Sequence, residues 1–274
     1  MKTAHITGTL TAMSPIHHGG DEKTGSEVMF RRMKYLTSDG RFIQVPVISG
    51  NAIRGQLRRR VFRDLCTEVG YEPPVKMYHL LFSGGVLEEV SSGSGKVDLE
   101  MREAIRSLLP PLSLLGASIL NQVVAGKLQV GIATPICREL NLYHPSDLQS
   151  ETSFYEFLDD SFQTRKDDIK DRAADDPAVQ MLVTFETLAP GTRFYHSLTL
   201  QDYSEVEASC LRRMIDLWQS DPYVGARSAT GYGQVRIEYT WPKDWPDAEV
   251  YQQFLSSERS AILDVLRKIE SALG

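Results

Sequence analysis

The chain has 274 residues, 42% of them hydrophobic and 24% charged. This is the make-up of one elaborated folded domain or two small ones, and it excludes a disordered, collagen-like or mucin-like polypeptide. Three cysteines (Cys66, Cys137, Cys210) stand far apart with no CxxC spacing, which argues against a disulfide scaffold and a cysteine-rich zinc module. The opening MKTAHITGTLTAMSP alternates polar and apolar residues, and no apolar run approaches the roughly 20 residues of a membrane span. The expectation is a cytoplasmic protein with no membrane partner. The formal net charge of −6 hides an asymmetry. Residues 1–70 carry eleven Lys and Arg against six acids, and residues 145–176 carry ten acids against four bases. A basic N-terminal third is the field a polyanion reads, although solvated surface charge has the same composition.

In chain order, residues 3–13 read as a strand ended by Ser14-Pro15. His17-His18-Gly19-Gly20-Asp21 reads as the start of a polar loop. Residues 28–36 and 41–47 read as strands joined at Ser38-Asp39-Gly40, with Pro46 placing the second at an edge or at its own end. Residues 49–69 give the clearest helix. Ser49 is the expected N-cap, and Ile53, Leu57, Val61, Leu65 and Val69 form one apolar stripe. Arg54 and Arg58 share a second face of this helix, and Arg59 and Arg63 a third.

Ser91–Gly95 reads as a flexible loop. Residues 98–109 and 111–121 read as helices broken at Pro110-Pro111, and 127–134 as a strand. Residues 135–178 lose periodicity and turn acidic, as a long insertion does. Residues 179–188 and 193–201 read as strands across Ala189-Pro190-Gly191-Thr192. Residues 205–219 form an amphipathic helix, the Gly-rich GARSATGYG loop (225–233) runs into a strand at 234–239, and 247–272 form a last helix. Strands with helices packed on one face give an α+β sandwich.

Three features could carry chemistry. The segment from Ser49 through Gly50, Asn51, Arg54 and Arg58 to Arg59 opens a helix with small residues, whose free N–H groups and arginines suit phosphate. A Walker loop is absent, so a polyphosphate backbone fits better than nucleotide hydrolysis. In GARSATGYG the glycines permit close approach, Arg227 can reach a phosphate, and Tyr232 can stack on a base. In His17-His18-Gly19-Gly20-Asp21-Glu22 two histidines and two carboxylates invite a metal or acid–base reading. Adjacent histidines on a strand point to opposite sides, however, and a Gly-Gly turn packing its backbone against a ligand fits better. Asp21 alone could hold a divalent metal at a scissile phosphate. No GxSxG or HExxH is present.

The order SPIHHGGDEKTGSEV, VPVISGNAIRGQLRRR, FETLAPGTRFYHSLTL, GARSATGYGQV resembles the RAMP superfamily of CRISPR-associated proteins. More narrowly, it resembles the repeated backbone subunit of class 1 effector complexes of the type IV or type III kind. Coverage is about 3–69 and 179–240. The resemblance implies an RRM-like (ferredoxin-like) core and a thumb-like insertion at 135–178 that folds over the guide. Implied partners are guide RNA, target DNA or RNA, further copies of the chain in a filament, and other effector subunits. The implied RNA-binding residues are His17, His18, Gly19, Gly20, Lys34, Ser49, Gly50, Asn51, Arg54, Arg58, Arg59, Arg227, Ser228 and Tyr232. No cofactor is implied unless Asp21 is the metal-dependent nuclease residue of type III relatives. Guide-precursor processing by His17 or His18, and a small-molecule α+β enzyme, are the competing expectations.

Overall fold

The computed structural model describes residues 2–24, 27–85, 99–119, 122–166 and 180–274. The first strand, β1 (Thr3–Ala12), buries Ile6, Leu10 and Ala12 on one face and turns His5, Thr7 and Thr9 to the other, the period-2 pattern of a half-buried strand. Next come β2 (Gly19–Thr24), β3 (Glu27–Phe30), β4 (Arg32–Leu36) and β5 (Phe42–Pro46), then α1 (Gly50–Val69). A short α2 (Val75–Tyr78) passes into a π turn at His79–Ser83. The middle holds α3 (Leu99–Leu108), α4 (Pro110–Leu115), β6 (Ala117–Ile119), β7 (Gln122–Val124), β8 (Leu128–Val130) and β9 (Thr134–Pro135). Three 3-10 turns between Arg138 and Phe157 lead to β10 (Leu158–Lys166), β11 (Gln180–Leu188) and β12 (Arg193–Gln201). The chain ends with α5 (Glu205–Ser220), β13 (Val235–Thr240), α6 (Ala248–Ser257) and α7 (Arg259–Leu273).

The main sheet is antiparallel with order β13-β1-β12-β8, and β9 adds to β12. Read in chain order, β1, α1, β8, β12, α5 and β13 make a β-α-β-β-α-β unit, the ferredoxin-like topology expected of an RRM-like core. Its second strand, β8, comes from the middle of the chain, outside the two stretches that carry the resemblance.

Helix α1 forms as its spacing predicts. Ser49 Oγ accepts from the Ala52 N–H, and Gly70 closes the helix in the left-handed region (φ +69°). Ile53, Leu57, Val61, Phe62, Leu65 and Val69 are fully buried, each contributing about 1.5–3 kcal/mol by leaving water. They share one core with Leu211, Met214, Ile215 and Trp218 of α5 and with the inner face of the main sheet. Helix α5 starts with a reciprocal Ser204–Glu207 capping box.

Several expectations change. The polar loop at His17–Asp21 is instead the entry to β2, an element without apolar alternation. The expected 28–36 strand is two, β3 and β4, because the Arg31 N–H bonds to His18 O while β4 turns to pair with β5. Strands β11 and β12 follow each other across a four-residue turn but belong to different sheets. β11 lies in a second sheet of order β10-β11-β3-β2, parallel to β3 at Phe185–Val28. Helix α4 stops at Leu115, where Gly116 (φ +63°) leads into the β6–β7 hairpin. Pro110 and Pro111 start this helix rather than break it, since a proline in the first turn lacks only an N–H the helix would leave unpaired. The C-terminal helix divides between Ser257 and Arg259.

The acidic stretch after residue 135 is ordered over its described part. Cys137, Leu140 and Phe154 pack with Val45 of β5 into a small second core, and β10 pairs with β11 over its whole length. The rest of the expected insertion, 167–178, and the expected Ser91–Gly95 loop lie outside the described residues.

Candidate nucleic-acid interface

Two helix faces and one loop position the expected site residues, and they divide them into structural and available groups. Arg54 and Arg58, expected on phosphate, are committed inside the protein. Arg58 is 6% exposed. It donates to Leu81 O at 3.1 Å, Leu115 O at 2.8 Å and Gly116 O at 2.6 Å. Arg54 donates to Leu128 O at 2.9 Å and also to Leu115 O. The two guanidinium groups thus satisfy the carbonyl end of α4 and tie α1 to β8 and the π turn. Burial, with the Arg54 charge beside it, pulls the Arg58 pKa down to about 10, so it stays cationic at neutral pH. Gly50 also has an internal role. A Cβ there would lie 2.4 Å from Val130 O and 2.7 Å from Gly131 O, so the backbone it admits is that of β8.

The paired histidines diverge. His17 is buried and donates from Nδ1 to Glu186 O at 2.9 Å, with its ring edge-on to Phe185 at 4.7 Å. His18 turns to α1, where its Nε2 accepts from the Ser49 N–H at 3.2 Å. Burial first, then the nearby Arg31 and His17 charges, lower the His18 pKa to about 4. Burial lowers His17 as well. Both rings are therefore neutral at pH 7. Gly19 and Gly20 lie close against Val28 and the Arg31 backbone. The Asp21 backbone runs in β2, while its side chain lies outside the described residues, as does that of Glu22. Among the described residues no group of three or more His, Cys, Asp or Glu is placed to hold a metal ion.

The Gly-rich loop is a tightly packed turn. Gly225 (φ +79°), Arg227 (φ +65°), Gly231 (φ +91°) and Gly233 (φ +84°) all sit in the left-handed region. At Gly225 a Cβ would meet His17 O at 2.4 Å, and the Ala226 N–H donates to that same carbonyl at 2.9 Å. Arg227 is the non-glycine among them, and such a conformation costs of order 1–3 kcal/mol unless its surroundings hold it. Here its guanidinium lies over the Phe185 ring, 3.9 Å from the centroid, and donates to Gln163 of β10. Tyr232 meets the same ring edge-on at 5.4 Å. Loop, first histidine and second sheet are thus joined around Phe185. Glu186 anchors that sheet by accepting from the Phe30 N–H at 2.8 Å and from Arg32 at 2.5 Å.

What remains available is an open cleft of about 550 Å³ between the solvent face of α1 and the Gly-rich loop. Gln56, Arg59, Arg60 and Arg63 line one wall, and Gly225, Ala226, Arg227 and Ser228 line the other. Arg60 is held by Asp221 at 2.7 Å. The Arg59 and Arg63 side chains are exposed and make no hydrogen bond or ion pair among the described residues. Arg59, Arg227 and Ser228 were expected here. Arg60 and Arg63 were not, although the i, i+3, i+4, i+7 spacing of Gln56, Arg59, Arg60 and Arg63 marks one helix face. Asn51 is exposed in the first turn of α1. Lys34 lies on β4 with its Nζ 4.3 Å from the Phe42 ring centroid and does not line the cleft.

The fold is thus an RRM-like α+β core carrying an open cleft in which Arg59 and Arg63 have no partner among the described residues. Comparison with known proteins gives the family. The model of the RAMP superfamily matches residues 9–236, and the chain belongs to that superfamily. Among solved structures, a chain of a "Type IV-B CRISPR Complex" shares the fold with a TM-score of 0.65 and 22% identity, covering 90% of this chain and 96% of that one. Comparison with curated proteins gives no sequence match. No helix among the described residues is long and apolar enough to cross a membrane.

Proposed function

We propose that this chain is a subunit of a CRISPR effector ribonucleoprotein that binds the guide RNA by its backbone. Further copies would join head to tail along the guide, alongside other effector subunits, and the assembly would then engage target DNA or RNA. The observation that carries this is the cleft between α1 and the Gly-rich loop, where Arg59 and Arg63 stand without a partner among the described residues. Cations left unpaired along an open groove suit a chain of phosphates. The open cleft also lacks the enclosed, largely apolar walls that small-molecule sites usually have. Superfamily membership and the likeness to a CRISPR-complex chain support the same reading. Phosphate contacts carry no sequence information, so any guide would be accepted and base pairing would supply specificity. The stretch read as a thumb-like insertion, 135–178, would fold over the guide in this reading; its strand β10 is linked to the cleft through the Gln163–Arg227 hydrogen bond.

The test is single-stranded RNA binding by fluorescence anisotropy over a salt series, comparing the wild-type chain with Arg59→Glu/Arg63→Glu. The expected result is a steep fall in affinity for the variant and a reduction in salt slope of about 0.7 per lost contact. Equal affinities and slopes would remove the cleft from the interface.

A further inference from the structure

The basic face of α1 does not end at the Gly-rich loop. A second open cleft, of about 540 Å³, begins at Arg63 and follows the same helix face past Cys66 and Thr67 to Gly70. Arg63 lines both clefts. At 1.5 Å per residue, Arg59 to Gly70 spans about 16 Å. The far wall of this second cleft is aromatic. Phe62 of α1 is fully buried, and Phe82 of the π turn lies against it at 6.4 Å. Tyr78, at the end of α2, lies over Phe82 with ring centroids 4.5 Å apart and planes 19° from parallel. Tyr78 is 51% exposed, and its hydroxyl makes no hydrogen bond among the described residues. The three rings form a ladder rooted in the core whose outermost rung faces the cleft.

A partly exposed ring held flat on a fixed one keeps a defined orientation at the surface, which is the geometry of a platform for a flat partner. The charge beside it decides which partner. Arg63 and Arg59 on the approach have no partner among the described residues, and Asp64 on the same helix is bound by Arg213 at 2.5 Å. Among the described lining residues the carboxylate is Glu72, at the far end, and Glu270 is engaged by the Tyr71 hydroxyl at 2.8 Å. A cationic track leading to a stacking face matches a single-stranded nucleic acid, whose phosphates and bases alternate in the same way.

We propose that the C-terminal half of α1 extends the phosphate cleft into a base-stacking platform on Tyr78, so that a single strand runs along the helix from Arg59 through Arg63 and rests an unpaired base on the Tyr78–Phe82 stack. This rests on the RNA-binding reading above and adds a second subsite to it.

The experiment uses the full chain and an oligouridylate RNA carrying 4-thiouridine. Photocrosslinking locates the base by mass spectrometry, and anisotropy measures affinity for Tyr78→Ala and Tyr78→Phe. The expected result is a crosslink on the peptide that contains Tyr78. Tyr78→Ala should bind about five- to 150-fold more weakly, the range that loss of one base–aromatic stack produces. Its salt slope should be unchanged, because no phosphate contact is lost, and Tyr78→Phe should bind as the wild type does. Tyr78→Ala binding within twofold of wild type, while Arg59→Glu/Arg63→Glu loses RNA, would overturn the platform and leave the proposed function standing. An RNA affinity unchanged by Tyr78→Ala, with self-association lost instead, would also overturn it by making this face a contact between copies. No RNA bound by the wild type would remove both readings.

Discussion

Arg58 separates a structural arginine from an RNA-binding one, and Arg58→Met is the informative change. Methionine keeps most of the unbranched stem and removes the guanidinium, which donates to Leu81 O, Leu115 O and Gly116 O. Leu115 O keeps the Arg54 donor, so two carbonyls, at the π turn and at the end of α4, lose this donor. Hydrogen bonds from a charged donor contribute about 1.5–3 kcal/mol each. Relief from holding a cation in a site with so little water offsets part of that loss. The net expectation is a destabilisation of about 3–5 kcal/mol, read by urea unfolding as a lower midpoint at unchanged slope. Residual RNA binding, measured at a urea-free temperature where the variant remains folded, should show the wild-type salt slope. Arg59→Ala should behave in the opposite way, with stability within about 0.5 kcal/mol of wild type and a salt slope reduced by about 0.7. An Arg58→Met protein as stable as wild type but with a shallower salt slope would refute the assignment and return Arg58 to the phosphates.

Other consequences are as direct. Gly50→Ala would drive a Cβ into the Val130 and Gly131 carbonyls, and overpacking of this kind costs about 1–3 kcal/mol; thermal unfolding would reveal it as a lowered midpoint, and an unchanged midpoint would deny the close approach of α1 to β8. His196 is fully buried between Tyr239 OH at 2.5 Å and Gly131 O at 3.1 Å, and burial lowers its pKa to about 4, as it does for His18. The unfolded chain takes up these protons first, so stability should be full above about pH 6.5 and fall as pH drops towards 4. The loss should be about 3 kcal/mol at most for His196, and His196→Gln should flatten the pH profile of urea midpoints. Glu186→Gln would leave Arg32 without its carboxylate and weaken the acceptor of the Phe30 N–H. Breaking a largely buried pair from one side costs about 3–5 kcal/mol, and amide exchange at Phe30 should accelerate in that variant.

The elements legible in the sequence were those whose local pattern and tertiary role agree. Helix α1 carries its cap, its four-residue apolar stripe and its terminal glycine in one stretch, and α5, β1, β12 and β13 are similarly self-describing. The second sheet was not legible. Its strand β2, GGDEKT, has no apolar face, and its strand β11 is separated by four residues from β12, which lies in the other sheet, a switch no local pattern records. Helix α4 was overrun because the apolar residues continue through Gly116, where backbone geometry and not hydrophobicity ends the helix.

The site was half legible for a related reason. Arg54 and Arg58 lie on one face of α1 and Arg59 and Arg63 on another, as the spacing says. Which face meets solvent depends on α4 and the π turn, whose carbonyls take up the first pair, and those elements are set by long-range packing. The aromatic ladder at Tyr78 combines residues of α1, α2 and the π turn, so no motif announces it.

The most direct test of the account is native mass spectrometry of the chain co-expressed with a CRISPR array, before and after ribonuclease. The account predicts assemblies at multiples of 30.8 kDa plus one discrete RNA, which break down to smaller species when the RNA is digested, and no such assembly for Arg59→Glu/Arg63→Glu. A bare 30.8 kDa monomer with no RNA in either protein would contradict it.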